Sequence, residues 1–521
     1  MQLDKIALAD THAFSPFFLD YIEQKESLKS YYNRYPSLEN FADQITEKSL
    51  FPPENRELIV STLQNQYDGF QLSPRVSENI LLLKDKKTFT VTTGHQLNIF
   101  TGPLYFIYKI VTVVNTCKKL KARYPDFDFV PVYWMATEDH DYDEIKYFNL
   151  YGTKYVWETE QTGAVGRFDV KGLEKLAHEL PGEINIFKEA YKKGRTLSQA
   201  VRYYVNELFG YEGLIVLDAD THALKSLFRD AMQHDIIDQV NKPLVDATNA
   251  GLEDLGYKTQ VFCRDINFFY LENGVRSRIE KSGDEFKVVD TNLSFSSDQI
   301  KKLIQDEPEK FSPNVILRPL YEETILPNLA YVGGPAEVTY WLQLKEVFRH
   351  AGRPFPILMP RNFGMIVDHE INRKFSKTGL ELKDLFEEKN FLFNHWVLKN
   401  SLRNLTVGAE RAEVSKIFDQ LRERASSLDK SLAPFVAAEG QRTLNSLEKI
   451  ERNLVRAEKR LHADKFRQIE NVKDALFPNE NLQERNDNFL NFYQQDPHFV
   501  DKLLDYFDPF DFQFHVLRYT A

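Results

Sequence analysis

Thr88-Phe89-Thr90-Val91-Thr92-Thr93-Gly94-His95-Gln96-Leu97-Asn98 begins the stretch on which the fold turns, and that stretch runs on to Glu144. Thr88 to Thr93 is β-rich and closes in a polar turn, Gly94 to Asn98. Pro103 then opens an apolar-periodic helix through Leu104, Ile107, Val111 and Val114. A second strand, Phe129 to Ala136, runs into Thr137-Glu138-Asp139-His140-Asp141-Tyr142-Asp143-Glu144. Strand, helix, strand predicts a parallel α/β sheet. In such sheets ligands bind where strands end and helices begin, so both polar clusters belong on one edge. That edge is the candidate active site.

Outward from this unit, 521 residues with 42% hydrophobic and 27% charged composition predict a globular chain of several packed units. A net charge of -11 argues against a nucleic-acid binder, which needs a basic face, but allows an anionic small substrate where Arg and Lys converge. Cys117 and Cys263 show neither Cys-x-x-Cys nor zinc spacing, so no metal site is assigned and a reducing cytoplasm is expected. The chain starts without a basic-then-apolar leader and holds no run long enough to span a bilayer, which predicts a soluble protein with no membrane partner.

Residues 1 to 87 read as mainly helical, with a break at Phe51-Pro52-Pro53. Gly213 to Leu217 is a further short buried strand ending in Asp218-Ala219-Asp220. From Gln260 the pattern changes to short strands, Val261 to Arg264, Phe268 to Leu271, Arg276 to Glu280 and Phe286 to Val289, joined by Asn273-Gly274 and Ser282-Gly283-Asp284. That is hairpin chemistry, so an antiparallel meander is inserted in the parallel framework. The framework resumes with strands Val315 to Leu320, Leu329 to Val332 and Pro356 to Pro360, and a helix from Val338 to His350. Beyond Asp368 the chain is helical and charged. Heptad-like spacing from Val414 to Phe435 and from Leu444 to Leu461, separated near Pro434 to Gly440, predicts an antiparallel coiled-coil hairpin, a helix pairing across a dimer, or two amphipathic helices of one bundle. The aromatic C-terminus, Tyr506 to Phe514, is expected to dock on the core.

Within the turn, Gly94 permits a sharp bend, and His95, Gln96 and Asn98 lie where the helix opened by Pro103 offers free N–H groups. An imidazole there can donate to an anion or take a proton near neutral pH; a structural hydrogen-bonder is the plainer alternative. Glu138, Asp139, His140 and Asp141 place three carboxylates and an imidazole in succession. This is costly unless a cation or protonated amine shares the site, and otherwise marks a solvated loop. A magnesium ion fits such a cluster without being required. Gly333, Gly334 and Glu337 repeat the strand-turn-helix pattern with room for a ligand to approach the backbone. Lys109, Arg318 and Arg361 are cations suited to carboxylates, or to structural ion pairs. Lys374-Phe375-Ser376-Lys377-Thr378 imitates the ATP-contacting Lys-Met-Ser-Lys-Ser loop of class I aminoacyl-tRNA synthetases but reads as a surface helix end.

Thr93-Gly94-His95-Gln96 leading to Thr101-Gly102-Pro103-Leu104-Tyr105 and Tyr108-Lys109 resembles the cysteine-adding ligase family of bacillithiol biosynthesis. So do Pro131 to Ala136 with Glu138 to Asp141, Ser312-Pro313-Asn314-Val315 with Arg318-Pro319-Leu320, and Gly334-Pro335-Ala336-Glu337 with Tyr340-Trp341. The resemblance covers nearly the whole chain. It implies an α/β Rossmann-like parallel-sheet core at residues 1–380, with inserted α+β segments near 150–310, followed by a helical coiled-coil domain at 381–521 that makes a homodimer. It also implies amide formation between the carboxyl of L-cysteine and the amino group of glucosaminyl-malate. Such a reaction needs the carboxyl activated. ATP is the expected energy source, although no Gly-x-x-x-x-Gly-Lys-Ser/Thr loop occurs. In this scheme His95 holds phosphate or a developing oxyanion, and Glu138, Asp139 or Asp141 binds an ammonium. His140 or a carboxylate is the base, and Arg318, Arg361 and Lys109 receive the malate carboxylates. Two other readings compete: a different nucleotide-dependent ligase or nucleotidyltransferase, and a non-catalytic dimeric scaffold whose coiled coil is the working surface. Two costly polar loops on one sheet edge weigh against the scaffold.

Overall fold

Five parallel strands make the central sheet: β1 (Thr88–His95), β2 (Asp128–Met135), β3 (Ile215–Asp218), β4 (Asn328–Gly333) and β5 (Ile357–Pro360), side by side in the order β5-β4-β1-β2-β3. The structure, a computed structural model, describes residues 1–182 and 184–520. The chain winds outward from β1 in both directions, so the strand order reverses between β1 and β4 and opens a crevice at their carboxyl ends. The core is α/β and Rossmann-like. Buried threonine hydroxyls hold this junction together: Thr90 and Thr92 Oγ1 donate to Asn328 Oδ1 (3.1 and 2.9 Å) and Thr93 Oγ1 to the Val332 carbonyl (2.8 Å). These bonds offset the cost of placing hydroxyls in the middle of a sheet.

The helix after β1, α1 (Tyr105–Arg123), is buried at every position from Phe106 to Cys117. Each fully buried Ile or Val there contributes roughly 1.5–3 kcal/mol. Its all-round burial has a cause late in the chain: Asn115 Nδ2 donates to the Leu504 and Phe507 carbonyls (2.9 and 2.7 Å), which docks the helix Phe499–Tyr506 against it.

Several local expectations are corrected. Residues 1–87 are not only helical: Gln2–Ala7 is a strand, paired antiparallel with Gln513–Arg518, which pairs parallel with Phe363–Val367. Of Gln2–Ala7 only Ile6 is fully buried, so no alternating pattern announced it. Val261 to Arg264 is not a strand, because its backbone donors go to side chains: Gln260 and Val261 N–H to Gln343 Oε1, and Arg264 N–H to Asn267 Oδ1 (3.0, 3.3 and 3.1 Å). The meander is otherwise present, as a five-stranded sheet closed by Phe311–Pro313. Val315 to Leu320 is a turn followed by helix α2 (Arg318–Ile325). Asn314 Oδ1 accepts from Ile316 N–H (2.9 Å), and Pro319 sits in the first helical turn, where its missing N–H costs nothing. The helix expected over Val338 to His350 is two, α3 (Pro335–Trp341) and Lys345–His350. The intervening Gln343 is buried, with its side chain held by Asn249 and the Val261 carbonyl.

The coiled coil is a hairpin of α4 (Gly408–Leu428) and α5 (Leu432–Leu461). Antiparallel pairing shows in Arg411–Glu448 (2.7 Å) and in Val407 N–H donating to Glu451 Oε2 (2.9 Å). The break lies at Asp429 to Ser431 rather than at Pro434 to Gly440. Pro434 occupies the first turn of α5, and Gly440 lies against the Phe418 ring, which an added Cβ would meet at 3.0 Å. Among the described residues no helix is long and apolar enough to cross a membrane.

Candidate active site

A cavity of about 320 Å³ occupies the crevice between β1 and β4. Its walls come from the turn after β1 (Gly94, His95, Gln96), the first turns of α1 (Tyr105, Lys109), the end of β2 (Trp134, Ala136), α2 (Arg318, Glu322), the turn into α3 (Gly334 to Glu337), and Arg361 and Arg485.

His95 closes β1 and is almost fully buried, its ring against Tyr105 and Phe106 (centroids 5.4 and 5.2 Å away). Its Nε2 has no hydrogen-bond partner among the described residues. Burial first, then the positive charges of Lys109 and Arg361, push its pKa well below the ordinary histidine value. The imidazole is therefore neutral at pH 7, with one ring nitrogen able to donate a hydrogen bond and the other able to accept a proton.

Lys109 reaches from α1 to the Gly94 carbonyl (2.8 Å) and to Glu337 Oε2 (2.6 Å). Glu337 also accepts from Tyr331 Oη (2.8 Å) and from Gly334 N–H (2.7 Å) at the start of α3. This lysine–glutamate pair ties the turns of β1 and β4 together, and burial lowers the pKa of Lys109. The close glycines now have a reason. A Cβ on Gly94 would meet Tyr331 Oη at 3.3 Å, and one on Gly333 would meet Glu337 Cβ at 3.0 Å.

Arg361 lines the cavity but is not a free clamp. Its Nη2 donates to Glu484 Oε1 (2.6 Å) and its Nη1 to the Asn362 carbonyl (2.8 Å), both side chains of the pair being buried; only Nε lacks a partner. Arg318 is different. It is partly exposed to the cavity, makes no side-chain hydrogen bond among the described residues, and lies 3.7 Å from Asp139 Oδ2.

The acidic run divides four ways. Glu138 is buried and paired with Lys225, which also donates to the Phe311 carbonyl, so it belongs to the core rather than the site. Asp139 turns toward Arg318 and Arg276 (3.7 and 3.8 Å). Burial acts to raise its pKa, but the His140 hydrogen bond and the two guanidinium charges outweigh it and hold Asp139 well below the usual carboxylate range. His140 is exposed, its Nδ1 facing the Arg276 guanidinium, which lies over the Phe269 ring. Asp141 is in solvent. Gln96 and Asn98 reach the other end of the same loop: Gln96 Nε2 donates to Glu144 Oε2 (3.0 Å) and Asn98 Nδ2 to the Glu144 carbonyl (3.1 Å). The two polar clusters do converge, through Ala136 and through Asp139 on Arg318. Among the described residues no three His, Cys, Asp or Glu side chains converge as a metal-binding group.

Residues 1–362 match the family model described as "Bacillithiol biosynthesis BshC, N-terminal Rossmann-like domain", and residues 364–519 the companion "C-terminal coiled-coil domain". The chain belongs to the BshC family of bacillithiol biosynthesis. Relatives named "Putative cysteine ligase BshC" are 40% identical in Flavobacterium psychrophilum (100% of both chains), 40% in Cytophaga hutchinsonii (99% of both) and 30% in Chloroherpeton thalassium (94% of both).

Of the family motifs, those around Gly94 and Gly334 face the cavity directly, whereas Glu138 to Asp141 reaches it through Asp139 alone. Reading the sequence missed Glu322, Tyr331 and Arg485 of the lining, and Arg276 behind Asp139, and quoted Tyr340 only as part of a family motif. Glu322 carried a signal, four residues after Arg318, but only once that segment is known to be helical. The Lys374 to Thr378 run ends a helix, His369–Ser376, outside the cavity. Chemically, the cavity offers a neutral imidazole, a guanidinium held only loosely by Asp139 and a fixed lysine–carboxylate pair, a set suited to an anionic substrate that must also give up a proton.

Proposed function

We propose that this cavity joins the carboxyl carbon of L-cysteine to the amine nitrogen of glucosaminyl-malate, an amide-forming ligation in bacillithiol biosynthesis. The observation that carries the reading is the meeting, in one cavity at the sheet's switch point, of Arg318, whose guanidinium is held by a loose ion pair to Asp139 (3.7 Å) and by no side-chain hydrogen bond among the described residues, with neutral His95, whose Nε2 has no hydrogen-bond partner among them. Arg318 takes a malate carboxylate through its two-donor fork. Arg485 and Arg361, which also line the cavity, add positive potential to it. His95 accepts the proton that the incoming ammonium must lose, a role its neutral state allows. In this proposal ATP is the co-substrate that activates the cysteine carboxyl, and as the C–N bond forms the amine displaces the phosphate-bearing leaving group, which carries away the carboxyl oxygen. Incubation of the purified protein with cysteine, glucosaminyl-malate and ATP or other phosphate donors in turn, read by mass detection of bacillithiol, tests it. No product with any donor refutes the ligation, and product with a donor other than ATP refutes the energy source.

His95→Gln is expected to lower kcat roughly 100- to 10,000-fold, the usual range for loss of a general base. In the unaltered protein, the acid limb of the kcat/KM profile, which reports the ligand-free enzyme, should lie below the ordinary histidine value of about 6.5, because the folded-state pKa is depressed and the base form persists as pH falls past that point. A limb at or above 6.5 excludes His95 as the base.

Neither cysteine serves the reaction, since the thiol belongs to the substrate. Cys117 and Cys263 are buried, and burial raises both thiol pKa values. The double alanine variant should keep its turnover per folded molecule, measured after circular dichroism confirms folding.

The protein is further proposed to work in the cytoplasm as a homodimer. On the hairpin Ile417, Leu421, Leu428, Leu432, Phe435, Ile450, Leu454 and Leu461 are exposed, more apolar surface than a solvated hairpin retains without a partner. Sedimentation should give twice the chain mass, falling to the monomer in Leu421→Glu/Leu454→Glu.

A further inference from the structure

Helix α2 carries two adjacent buried carboxylates with opposite fates. Glu323 turns into the core, where it pairs with Lys48 and accepts from Asn328 Nδ2 (2.6 Å). Glu322 turns the other way and lines the cavity, one helical turn after Arg318, so the two share a face. No cation pairs with Glu322 among the described residues, and its one hydrogen bond is a long one from Asn328 Nδ2 (3.5 Å). The charged groups that face it are already matched with each other: Lys48 with Glu323 on one side, and Lys109 with Glu337 on the other. The side chain is 3% exposed.

We propose that Glu322 stays a neutral carboxylic acid and donates a hydrogen bond to the carboxylate-bearing ligand that Arg318 holds, so that it selects for that anion. An unpaired carboxylate in this wall would bear the full cost of desolvation and would repel the ligand; the acid form avoids both penalties and supplies one O–H donor. Burial first, then the neighbouring charge of Glu323, push its pKa well above the ordinary carboxylate value, and Lys48 and Lys109 offset this only in part. Arg318 and Glu322 together thus present a guanidinium fork and a hydroxyl to one ligand. The inference rests on the anion-binding half of the function proposed above. It does not depend on amide formation.

The test is calorimetric titration of the full-length protein with malate, which is fully ionised throughout the range, from pH 6.5 into the alkaline region, beside a separate bacillithiol assay. Affinity should fall as pH rises and Glu322 ionises. Glu322→Gln keeps the shape and an N–H donor but cannot ionise. It should bind within about threefold of the unaltered protein at pH 7 and lose that part of the alkaline decline, whereas a decline due to Lys109 would persist in it. Glu322→Ala should bind roughly tenfold more weakly at pH 7, in line with loss of one hydrogen bond to a charged group. The proposal is overturned if the glutamine variant binds as poorly as alanine, if it keeps the full alkaline decline, if alanine binds normally, or if the unaltered protein does not bind malate. Malate binding with this pattern but no bacillithiol would sink the ligation and leave Glu322 in its role; bacillithiol formation without the pattern would do the reverse.

Discussion

Arg318→Ala is expected to raise KM for glucosaminyl-malate roughly 10- to 100-fold, since hydrogen bonds to charged groups contribute about 1.5–3 kcal/mol each and every 1.4 kcal/mol is about tenfold. The melting temperature should move little, because the Arg318 side chain makes no hydrogen bond among the described residues and only a loose 3.7 Å ion pair with Asp139. The substitution also removes the cation that separates Asp139 from the cavity, so a carboxylate ligand would face an anion where it had a guanidinium. Arg318→Lys should recover only part of the loss: a lysine keeps the charge but not the two-donor fork. Steady-state kinetics with a melting curve for each variant checks this. An unchanged KM in Arg318→Ala would place malate elsewhere.

Glu484→Ala is expected to cost about 3–5 kcal/mol of stability, the range for removing one partner of a buried ion pair. Glu484 has both oxygens engaged, Oε1 with Arg361 Nη2 (2.6 Å) and Oε2 with Gly364 N–H (2.9 Å), and is fully buried. Its loss leaves the buried Arg361 charge unpaired and deprives Arg361 Nη2 and the Gly364 N–H of their acceptor, while Nη1 keeps the Asn362 carbonyl. Chemical denaturation monitored by near-ultraviolet circular dichroism measures the change. A loss under about 1 kcal/mol would show that Arg361 finds another acceptor. The two arginines should therefore respond in opposite ways, Arg318 through binding and Arg361 through stability, although both sit where the sequence suggested a carboxylate clamp.

That contrast marks how far the sequence could be read. The β1–α1–β2 unit was legible because each of its elements carries a dense local pattern, and the position of the site followed from where the strands stop. The meander was legible from Asn273-Gly274 and Ser282-Gly283-Asp284, whose turn chemistry is local. What did not show is who pairs with whom across long separations. Glu138 finds Lys225 and Arg361 finds Glu484 only in three dimensions, and those partners decide whether a charge is structural or available. The strand Gln2–Ala7 was hidden for the same reason, its partner lying at the far end of the chain. At Val315 to Leu320 the error was one of period: an apolar run bounded by Pro319 looked like a strand, and the proline in fact marks the first turn of a helix.

Because Gln2–Ala7 pairs with Gln513–Arg518, a strand made early in synthesis waits for a partner made far later. Until those residues emerge, Ile6 and the edge of Phe363–Val367 have no neighbour, and α1 lacks the cover that Leu503 and Phe507 bring to it. Vectorial synthesis can assemble the nucleotide-fold layer early, but sealing it is a late, long-range closure, slow by the rule that distant contacts bear their entropy cost before they are rewarded. The nascent chain is thus open to chaperones, and to clipping, at a stage when the strands of its central sheet are already made.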